Sequence, residues 1–387
     1  MKYLTFTTVF LIAIVFAITF TFGCAPVEPI PEDPVETVVE EPVEEPEEPV
    51  EEPVVEEPEE PVEEPAEDIT IGYAAPWLRD TGQVVIMQGL LDGAMDLGWR
   101  TVTTNADGDV SKQINDIDNL LTMEVDAIVT VPEDSAAIVP AVERANAEGV
   151  PVFTIDRSAL GGDVVLTVLA DNYIAGSQAG EFLVERLTEK YGSPQGKVLE
   201  LQGDLATNVA QLRGGGFNDV LAEYPDITVI QQPTDWDPVR GGNATEDVLT
   251  TDPDLDAIYF HSEFTGTGVI SALERVGRLV PIEDEDHIIV IGIDGTPEAL
   301  DWIRDGYMDG TAAQPLYDYG IVCAQFIQDY LEGREIELGV VDEPDALWSP
   351  AEIVEGEVGL ELQLSTTLVT RENVDDERLW GNVLEVD

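Results

Sequence analysis

The clearest signal of the fold is Val152-Phe-Thr-Ile-Asp-Arg157, a run of apolar and β-branched residues that stops at an acid and a base. A run this short and this apolar predicts a strand that is buried on both faces of a parallel sheet. The pattern returns at residues 288–293, which Asp294 and Gly295 follow directly. Two buried strands, far apart in the chain, are therefore expected to present polar side chains at their carboxyl ends.

Strands and helices alternate on both sides of this stretch. Short runs rich in valine and isoleucine predict strands at residues 69–74, 100–104, 127–131, 152–155, 165–170, 197–202, 228–232, 257–260 and 288–293. Amphipathic stretches between them predict helices at 84–97, 110–123, 138–148, 174–191, 211–223, 242–250, 267–276 and 296–305. This alternation predicts parallel sheets wound by right-handed βαβ units. The 387 residues exceed one core of ordinary size, so two lobes are expected.

Polar and aromatic residues collect at one edge of these predicted sheets. Ligands of such sheets bind beyond the carboxyl ends of the strands. The residues expected there are Asp156, Arg157, Asp294, Gln314 after the run 310–313, Arg213 at the opening of the helix after 197–202, and Trp236 after 228–232. A sugar hydroxyl both donates and accepts, which suits carboxylate, guanidinium and amide groups, and an indole stacks on the C–H face of a sugar ring. Each residue alone is also typical of a salt bridge, a helix cap or core packing, so the sugar-site prediction depends on their joint placement.

The chain is strongly acidic, with 17 lysines and arginines against 80 aspartates and glutamates and a formal net charge of −63. Such a field repels nucleic acids and anionic lipid surfaces, which argues against both as partners. Two interpretations of the acidity stay open. The protein works in a salty medium, where salt screens the repulsion between its acidic groups, or its acidity serves only to keep it soluble.

The first residues resemble an export leader. Lys2 and the apolar residues 4–22 end at Gly23-Cys24, which predicts a signal peptide over residues 1–23. The junction resembles a lipoprotein processing site at which Cys24 carries lipid; the alternative is an uncleaved membrane anchor. Residues 24–67 repeat Glu-Glu-Pro units, which predict a stiff, extended spacer. Either way, the remaining chain is expected outside the cytoplasm and held to a membrane.

Motifs of enzymes with doubly wound folds are missing from the sequence. Residues 266–271 follow a predicted strand but lack the third glycine of a dinucleotide fingerprint, and 213–216 lack the lysine of a phosphate loop. The sequence has two histidines, His261 and His287, and no Cys/His cluster, so no metal site, cofactor or catalytic residue is predicted.

Cys323 lies in an apolar helical run and is expected in the core. A repressor is excluded because the leader and acidic spacer stand where a basic DNA-binding headpiece would be.

Several stretches resemble the ribose-type periplasmic sugar-binding proteins in order and spacing across residues 68–338: 153–157, 170–172, 198–203, 213–217, 291–297 and Gln314. The resemblance implies a type I periplasmic binding protein, with two doubly wound parallel-sheet lobes joined by a three-strand hinge. It implies a monomer that closes on a small sugar-like ligand, needs no cofactor and delivers the ligand to the membrane subunits of an ABC permease. The alternative is a sensor whose closed form docks on a membrane receptor.

The resemblance also assigns residues to the ligand. It implies hydrogen bonds from Asp156, Arg157, Arg213, Asp294 and Gln314, with Trp236 as the aromatic stacker. Two departures from the family pattern bear on which ligand fits. The loop at 73–83 offers Trp77, Arg79, Asp80 and Gln83 in place of an asparagine and paired aromatics, and Ser262-Glu263 stand where the family has Asn-Asp. Trp77, Asp80 and Glu263 are therefore added to the predicted site.

The expected lobe boundaries follow from the same reasoning. Residues 68–172 are assigned to the N-terminal lobe, completed by about 315–355. Residues 173–314 are assigned to the C-terminal lobe, completed by about 356–373, where residues 362–370 are expected to add a strand. Residues 374–387 are expected to be a C-terminal extension, in which residues 375–381 are expected to be a surface extension without chemistry.

Overall fold

The structure is a computed structural model that describes residues 69–383. The predicted signal peptide, the lipidated Cys24 and the acidic spacer lie outside the described residues. The strands are β1 (Thr70–Ala75), β2 (Arg100–Asn105), β3 (Ala127–Thr130), β4 (Val152–Ile155), β5 (Leu166–Ala170), β6 (Gly196–Gln202), β7 (Ile227–Pro233), β8 (Ala257–Phe260), β9 (Ile289–Asp294), β10 (Gly310–Ala313), β11 (Gly339–Val341), β12 (Ala351–Glu355), β13 (Leu360–Leu364) and β14 (Thr367–Val369). The helices are α1 (Thr81–Asp96), α2 (Val110–Thr122), α3 (Val139–Glu148), α4 (Asn172–Tyr191), α5 (Asn208–Leu221), α6 (Pro238–Thr251), α7 (Glu263–Arg275), α8 (Pro297–Asp305), α9 (Leu316–Leu331) and α10 (Trp380–Val383).

Two twisted α/β sheets form two lobes, which confirms the predicted fold class. The N-terminal sheet has eight strands in the order β11-β12-β13-β5-β4-β3-β1-β2, and β1 to β5 run parallel. The C-terminal sheet has six strands in the order β14-β10-β9-β8-β6-β7, with only β14 antiparallel. Every residue of β4 and β9 is buried, as their short apolar sequences require. Cys323 is fully buried in the N-terminal core, as predicted.

The chain passes between the lobes three times. The first crossover is at Asp171, between β5 and α4; the second is at Gln314-Pro315, between β10 and α9; the third is at Ser365-Thr366, between β13 and β14. The carboxyl ends of β4 and β9 therefore face each other across the cleft beside these crossovers.

The expected boundary at residues 356–373 is wrong. Leu360–Leu364 pair parallel with β5 of the N-terminal sheet, with Leu362 opposite Val168, and only Thr367–Val369 return to the C-terminal sheet. The physical reason is that Leu362 and Leu364 bury their side chains in the N-terminal core. The single strand expected at 362–370 is thus two strands, interrupted by the third crossover.

The expected surface extension at residues 375–381 is also wrong. Val374 and Leu379 pack in the C-terminal core, and Trp380 is only 5% exposed. Burial of these apolar side chains holds the C-terminal segment against the folded lobes.

Candidate functional site

A cavity between the lobes lies at the carboxyl ends of β1, β4 and β9. The space within it is about 420 Å³, including space open to solvent. Its lining residues are Trp77, Asp80, Gly82, Gln83, Ile86, Asp156, Arg157, Val209, Arg213, Trp236, Ser262, Phe264, Asp294 and Leu316. Seven of the nine predicted ligand-binding residues line this cavity; Glu263 and Gln314 do not.

Asp156 and Arg157 form the N-terminal wall of the cavity. Asp156 has φ +64°, a left-handed conformation that aspartate tolerates better than most residues, and it turns the chain sharply after β4. Its Oδ2 accepts a hydrogen bond from Gln83 Nε2 at 3.2 Å and lies 3.6 Å from Arg157 Nε. Arg157 Nη1 donates to the carbonyl of Pro132 at 3.2 Å. The acid and the base are thus fixed side by side in a buried position.

Two tryptophans flank the Arg157 guanidinium. Its central carbon lies 4.7 Å from the ring centroid of Trp77 and 5.6 Å from that of Trp236, within the range of cation–π attraction. Trp77 comes from the N-terminal lobe and Trp236 from the C-terminal lobe, where they form one apolar cluster with Val209 and Ala210. Trp236 was predicted as a stacker for the ligand, and the structure also places it against a cation of the protein. The cluster joins the two lobes directly.

The loop before α1 holds Trp77 in place. The Trp77 indole N–H donates to Asp80 Oδ2, while Asp80 Oδ1 accepts the backbone N–H of Gln83 at 2.9 Å and so caps α1. Burial raises the pKa of Asp80 above its usual value, against the hydrogen bonds that lower it. Asp80 therefore acts on the cavity through Trp77 and through the start of α1.

Arg213 forms the C-terminal wall and is held by four groups. Its Nε donates to Asn172 Oδ1 at 2.8 Å, its Nη2 to Gln314 Oε1 at 2.8 Å, and its Nη1 to the carbonyl of His261 and to Asp294 Oδ1 at 3.3 Å. The residue lies inside α5, which begins at Asn208 and not at residue 211 as expected. These hydrogen bonds fix the orientation of the Arg213 guanidinium, including the part of it that faces the cavity.

Glycines let α4 and α5 approach closely enough to place Arg213. A side chain on Gly176 would put its Cβ 2.1 Å from the carbonyl oxygen of Arg213, and one on Gly216 would come within 2.0 Å of the carbonyl of Tyr173. Because neither position has room for a Cβ, Gly176 and Gly216 serve the packing of α4 against α5.

Asp294 stands opposite Asp156 across the cavity. Its φ is +136°, an uncommon conformation for a residue with a side chain. Asp294 Oδ2 accepts from Ser262 Oγ at 2.7 Å and from the Glu263 N–H at 3.2 Å. Burial raises the pKa of Asp294 to about 7, although the neighbouring Arg213 lowers it.

Glu263 and Gln314 were expected to contact the ligand, and the structure places both behind the cavity wall. The Glu263 carboxylate accepts from Gly295 N at 3.0 Å, Thr296 N at 2.5 Å and Thr311 Oγ1 at 2.5 Å. The Gln314 amide is occupied by Arg213 and by Asn172 Oδ1, which accepts from its Nε2 at 2.9 Å. Both side chains orient wall residues, because their polar atoms already have partners in the protein.

Asn172 belongs to this wall and was missing from the predicted site. It accepts from both Arg213 and Gln314, and its own Nδ2 donates to the Ala170 carbonyl at 3.1 Å. The signal was present in the stretch Ala170-Asp-Asn172, which stands at the first crossover. Its role depends on three segments meeting, which local sequence does not show.

Three buried polar atoms of lining residues have no hydrogen-bond partner among residues 69–383. They are Gln83 Oε1, Arg157 Nε and Trp236 Nε1: one acceptor and two donors, contributed by both lobes. Buried polar groups are normally paired, so these three atoms lack the partner that most buried polar groups have. Within the same described residues, no group of three or more His, Cys, Asp or Glu side chains could hold a metal ion.

Two α/β lobes that enclose a polar and aromatic cavity define a solute-binding protein of the two-lobed kind. A family model described as a periplasmic binding protein domain matches residues 71–335. Over 271 residues the chain is 32% identical to a ribose import binding protein of Bacillus subtilis, covering 70% of this chain and 84% of the relative. The chain belongs to the ribose-type periplasmic binding protein family.

Solved structures agree with this assignment. A solute-binding protein of an ABC transporter from Mycobacterium smegmatis, with bound glycerol, is 25% identical with a TM-score of 0.68, covering 79% of this chain and 96% of that one. A carbohydrate transporter solute-binding protein from Agrobacterium radiobacter, in complex with D-arabinose, shares the fold at 21% identity and a TM-score of 0.70, covering 82% of this chain and 99% of that one.

Family membership confirms that the protein binds a solute and is not an enzyme, and it implies an extracytoplasmic location. Across residues 69–383, no helix has both the length and the apolar character needed to span a membrane.

Proposed function

We propose that the protein captures one small sugar or sugar-like polyol between its lobes and delivers it to an ABC-type permease. The observation that carries the proposal is the set of unpartnered polar atoms on residues that line the cavity, one acceptor and two donors. A sugar hydroxyl is donor and acceptor at once, so it can satisfy both kinds. Asp156, Arg157, Arg213 and Asp294 supply further acceptors and donors around the same space.

The two lobes contribute to the cavity in a way that suits capture by closure. Asp156, Arg157 and Trp77 come from the N-terminal lobe, whereas Arg213, Trp236 and Asp294 come from the C-terminal lobe. A ligand that contacts both groups stabilises the closed arrangement, because only that arrangement allows all the contacts at once. The closed, liganded form is what a permease would recognise.

The relatives support the ligand class. The similar proteins are named for ribose import or hold D-arabinose or glycerol, all of which are small polyhydroxylated molecules. The aromatic rings of Trp77 and Trp236 suit the C–H face of such a ligand. Trp77 and Asp80, in the loop where the sequence departs from the family pattern, are expected to set which member of the class fits.

The proposal is tested by thermal-shift screening of the purified chain against pentoses, hexoses, deoxysugars and polyols. A bound ligand raises the unfolding midpoint in proportion to the logarithm of its concentration above Kd. We expect one or a few related compounds to raise it, and Arg240→Ala, which removes an exposed arginine that does not line the cavity, to respond like the parent. A flat response to the whole panel would contradict the sugar assignment.

Delivery to a permease is tested separately from binding. Cells in which the gene is deleted should lose uptake of the radiolabelled ligand at low external concentration, and the restored gene should recover it. Unchanged uptake together with a lost transcriptional response would favour the sensing alternative.

The proposed location adds a tether. Residues 1–23 are taken as a signal peptide, Cys24 as the lipidated first residue, and residues 24–67 as an acidic spacer that lifts the lobes from the membrane surface. Mass spectrometry of the mature protein should find acyl chains on Cys24. An intact Met1 would contradict the lipid anchor.

A further inference from the structure

Trp380 lies beyond the region matched by the family model and contacts the backbone of two site residues. Its indole Nε1 donates to the carbonyl of Gln314 at 2.9 Å and to that of Asp294 at 3.2 Å. The side chain is 5% exposed. One N–H group thus joins the end of β9, which carries Asp294, to the second crossover, which carries Gln314.

The segment that carries Trp380 belongs to both lobes. Val374 and Leu379 pack in the core of the C-terminal lobe. The Trp380 ring belongs instead to the apolar cluster of the N-terminal lobe, together with Leu316 and Trp348. The C-terminal segment is therefore anchored on one lobe and inserts its last large side chain into the other.

The anchor on the C-terminal lobe is extensive. Arg304 of α8 donates to Asp375 Oδ1 at 2.8 Å, to the Val374 carbonyl at 3.3 Å and to Asn382 Oδ1. Asn382 Nδ2 donates to the carbonyls of Val374 at 2.8 Å and Asp376 at 2.9 Å, which closes the segment on itself. These bonds hold the backbone on both sides of Trp380.

The conformation of Asp294 shows why such support matters. With φ at +136°, Asp294 adopts a backbone state that persists only where its surroundings impose it. The Asp294 carbonyl accepts from the Gln314 N–H at 3.0 Å as well as from Trp380, so two bonds fix its orientation. The carboxylate of Asp294 enters the cavity from this fixed backbone.

We propose that Trp380 is a positioning residue for ligand binding, a strap across the second crossover that fixes the backbones of Asp294 and Gln314. The effect on affinity rests on the proposed function; the effect on the backbone does not. Trp380 acts through Asp294 and through the Gln314–Arg213 contact, without touching the ligand.

The test uses Trp380→Phe, which keeps a large ring and removes the N–H, in the full chain. Val374→Ala is the matched control, because Val374 is an equally buried apolar residue of the same segment that packs only in the C-terminal core. Gly381→Ala gives a second route, since its Cβ would lie 2.4 Å from the Gly295 carbonyl and displace the indole.

Hydrogen exchange of the ligand-free proteins, read by mass spectrometry, is measured first. Exchange should be faster in peptides spanning residues 292–316 for Trp380→Phe and Gly381→Ala, and unchanged there for Val374→Ala. Unchanged exchange in both strap variants overturns the proposal, as does an equal increase in the Val374→Ala control.

Ligand affinity is measured second, with the sugar that the screen identifies. Loss of one buried hydrogen bond shared by two carbonyls should weaken binding about five- to tenfold in Trp380→Phe and leave Val374→Ala like the parent. Faster exchange with unchanged affinity overturns the positioning role. If the parent binds no sugar, the proposed function fails, and the exchange result alone decides whether the strap exists.

Discussion

Arg213 Nη2 donates to Gln314 Oε1 at 2.8 Å, so a cavity wall residue of the C-terminal lobe is bonded to the second crossover. The same guanidinium reaches Asn172, next to the first crossover. Ligand contact and hinge geometry therefore share one network of side chains. A ligand that binds Arg213 therefore also restrains the first and second crossovers, which must move when the lobes open.

Replacing Arg213 by alanine should abolish most ligand binding while the fold survives. Losing a charged partner of a buried hydroxyl costs about 1.5–3 kcal/mol, which is roughly a ten- to hundredfold loss of affinity. Titration calorimetry against the ligand identified by screening measures the loss. The control is Arg240→Ala, whose arginine is exposed and pairs only with Asp235 in the loop before α6. Equal affinities for Arg213→Ala and the parent would remove Arg213 from the site.

Trp77→Ala should weaken both ligand affinity and lobe closure. Trp77 joins Val209, Ala210 and Trp236 across the cleft, and truncating a buried interface tryptophan commonly costs about 2 kcal/mol or more, roughly thirtyfold in affinity. Small-angle X-ray scattering with saturating ligand should show a larger radius of gyration for the variant than for the parent. Trp99→Ala is the control, because Trp99 packs against the N-terminal core alone. An identical radius for Trp77→Ala and the parent would refute a role in closure.

The titration of Asp294 predicts a pH dependence of ligand-free stability. Burial raises its pKa from 3.8 to about 7, so the folded state holds a proton that the unfolded state has lost over that interval. The resulting stabilisation is fully present below pH 3.8 and is lost as the pH rises through about 7. Asp294→Asn has a similar shape and no titrating proton. The unfolding midpoint of the parent, measured from pH 5 to pH 8, should fall relative to that of Asp294→Asn as the pH rises.

That pH experiment reports on Asp294 together with the buried Glu263 carboxyl, whose charge helps to raise the pKa of Asp294. The lowered pKa of Glu200, which its bond to His261 favours, contributes with the opposite sign and cancels in the comparison. A midpoint difference that stays constant between pH 5 and pH 8 would show that Asp294 does not hold a proton in the folded state.

The net charge of −63 predicts that salt stabilises the protein. Like charges spread over the surface repel one another, and salt shortens the range of that repulsion to about 10 Å at 0.1 M. The unfolding midpoint should rise with sodium chloride. Choline chloride at equal ionic strength is the control and should give the same rise, because screening depends on ionic strength alone. An unfolding midpoint that stays constant or falls as sodium chloride is added would leave solubility as the explanation of the acidity.

Local sequence patterns predict most of the fold and one part of the site. Strand β4 and the residues that follow it, Asp156 and Arg157, are recognisable because burial on two faces demands an apolar run and the strand end then turns into the cleft. The same reasoning locates Asp294 after β9. These features depend on a few consecutive residues, so the sequence displays them directly.

The rest of the site depends on contacts between distant segments. Glu263 carries an acid at a strand end, like Asp156, yet the structure bonds its carboxylate to the backbone behind Asp294. Nothing within a few residues of Glu263 distinguishes the two outcomes. Trp380 likewise reads as part of a polar tail, and its place between Asp294 and Gln314 follows only from the packing of the last residues on both lobes.

Both lobes are proposed to bind one sugar-like ligand together. This joint binding is tested by titration calorimetry with the ligand identified by screening, run on the parent, on Asp156→Ala of the N-terminal lobe and on Asp294→Ala of the C-terminal lobe. We expect one ligand per chain for the parent and a loss of affinity of roughly tenfold or more in each variant, because each lobe supplies part of the same site. Full affinity retained when either lobe's aspartate is removed would contradict it.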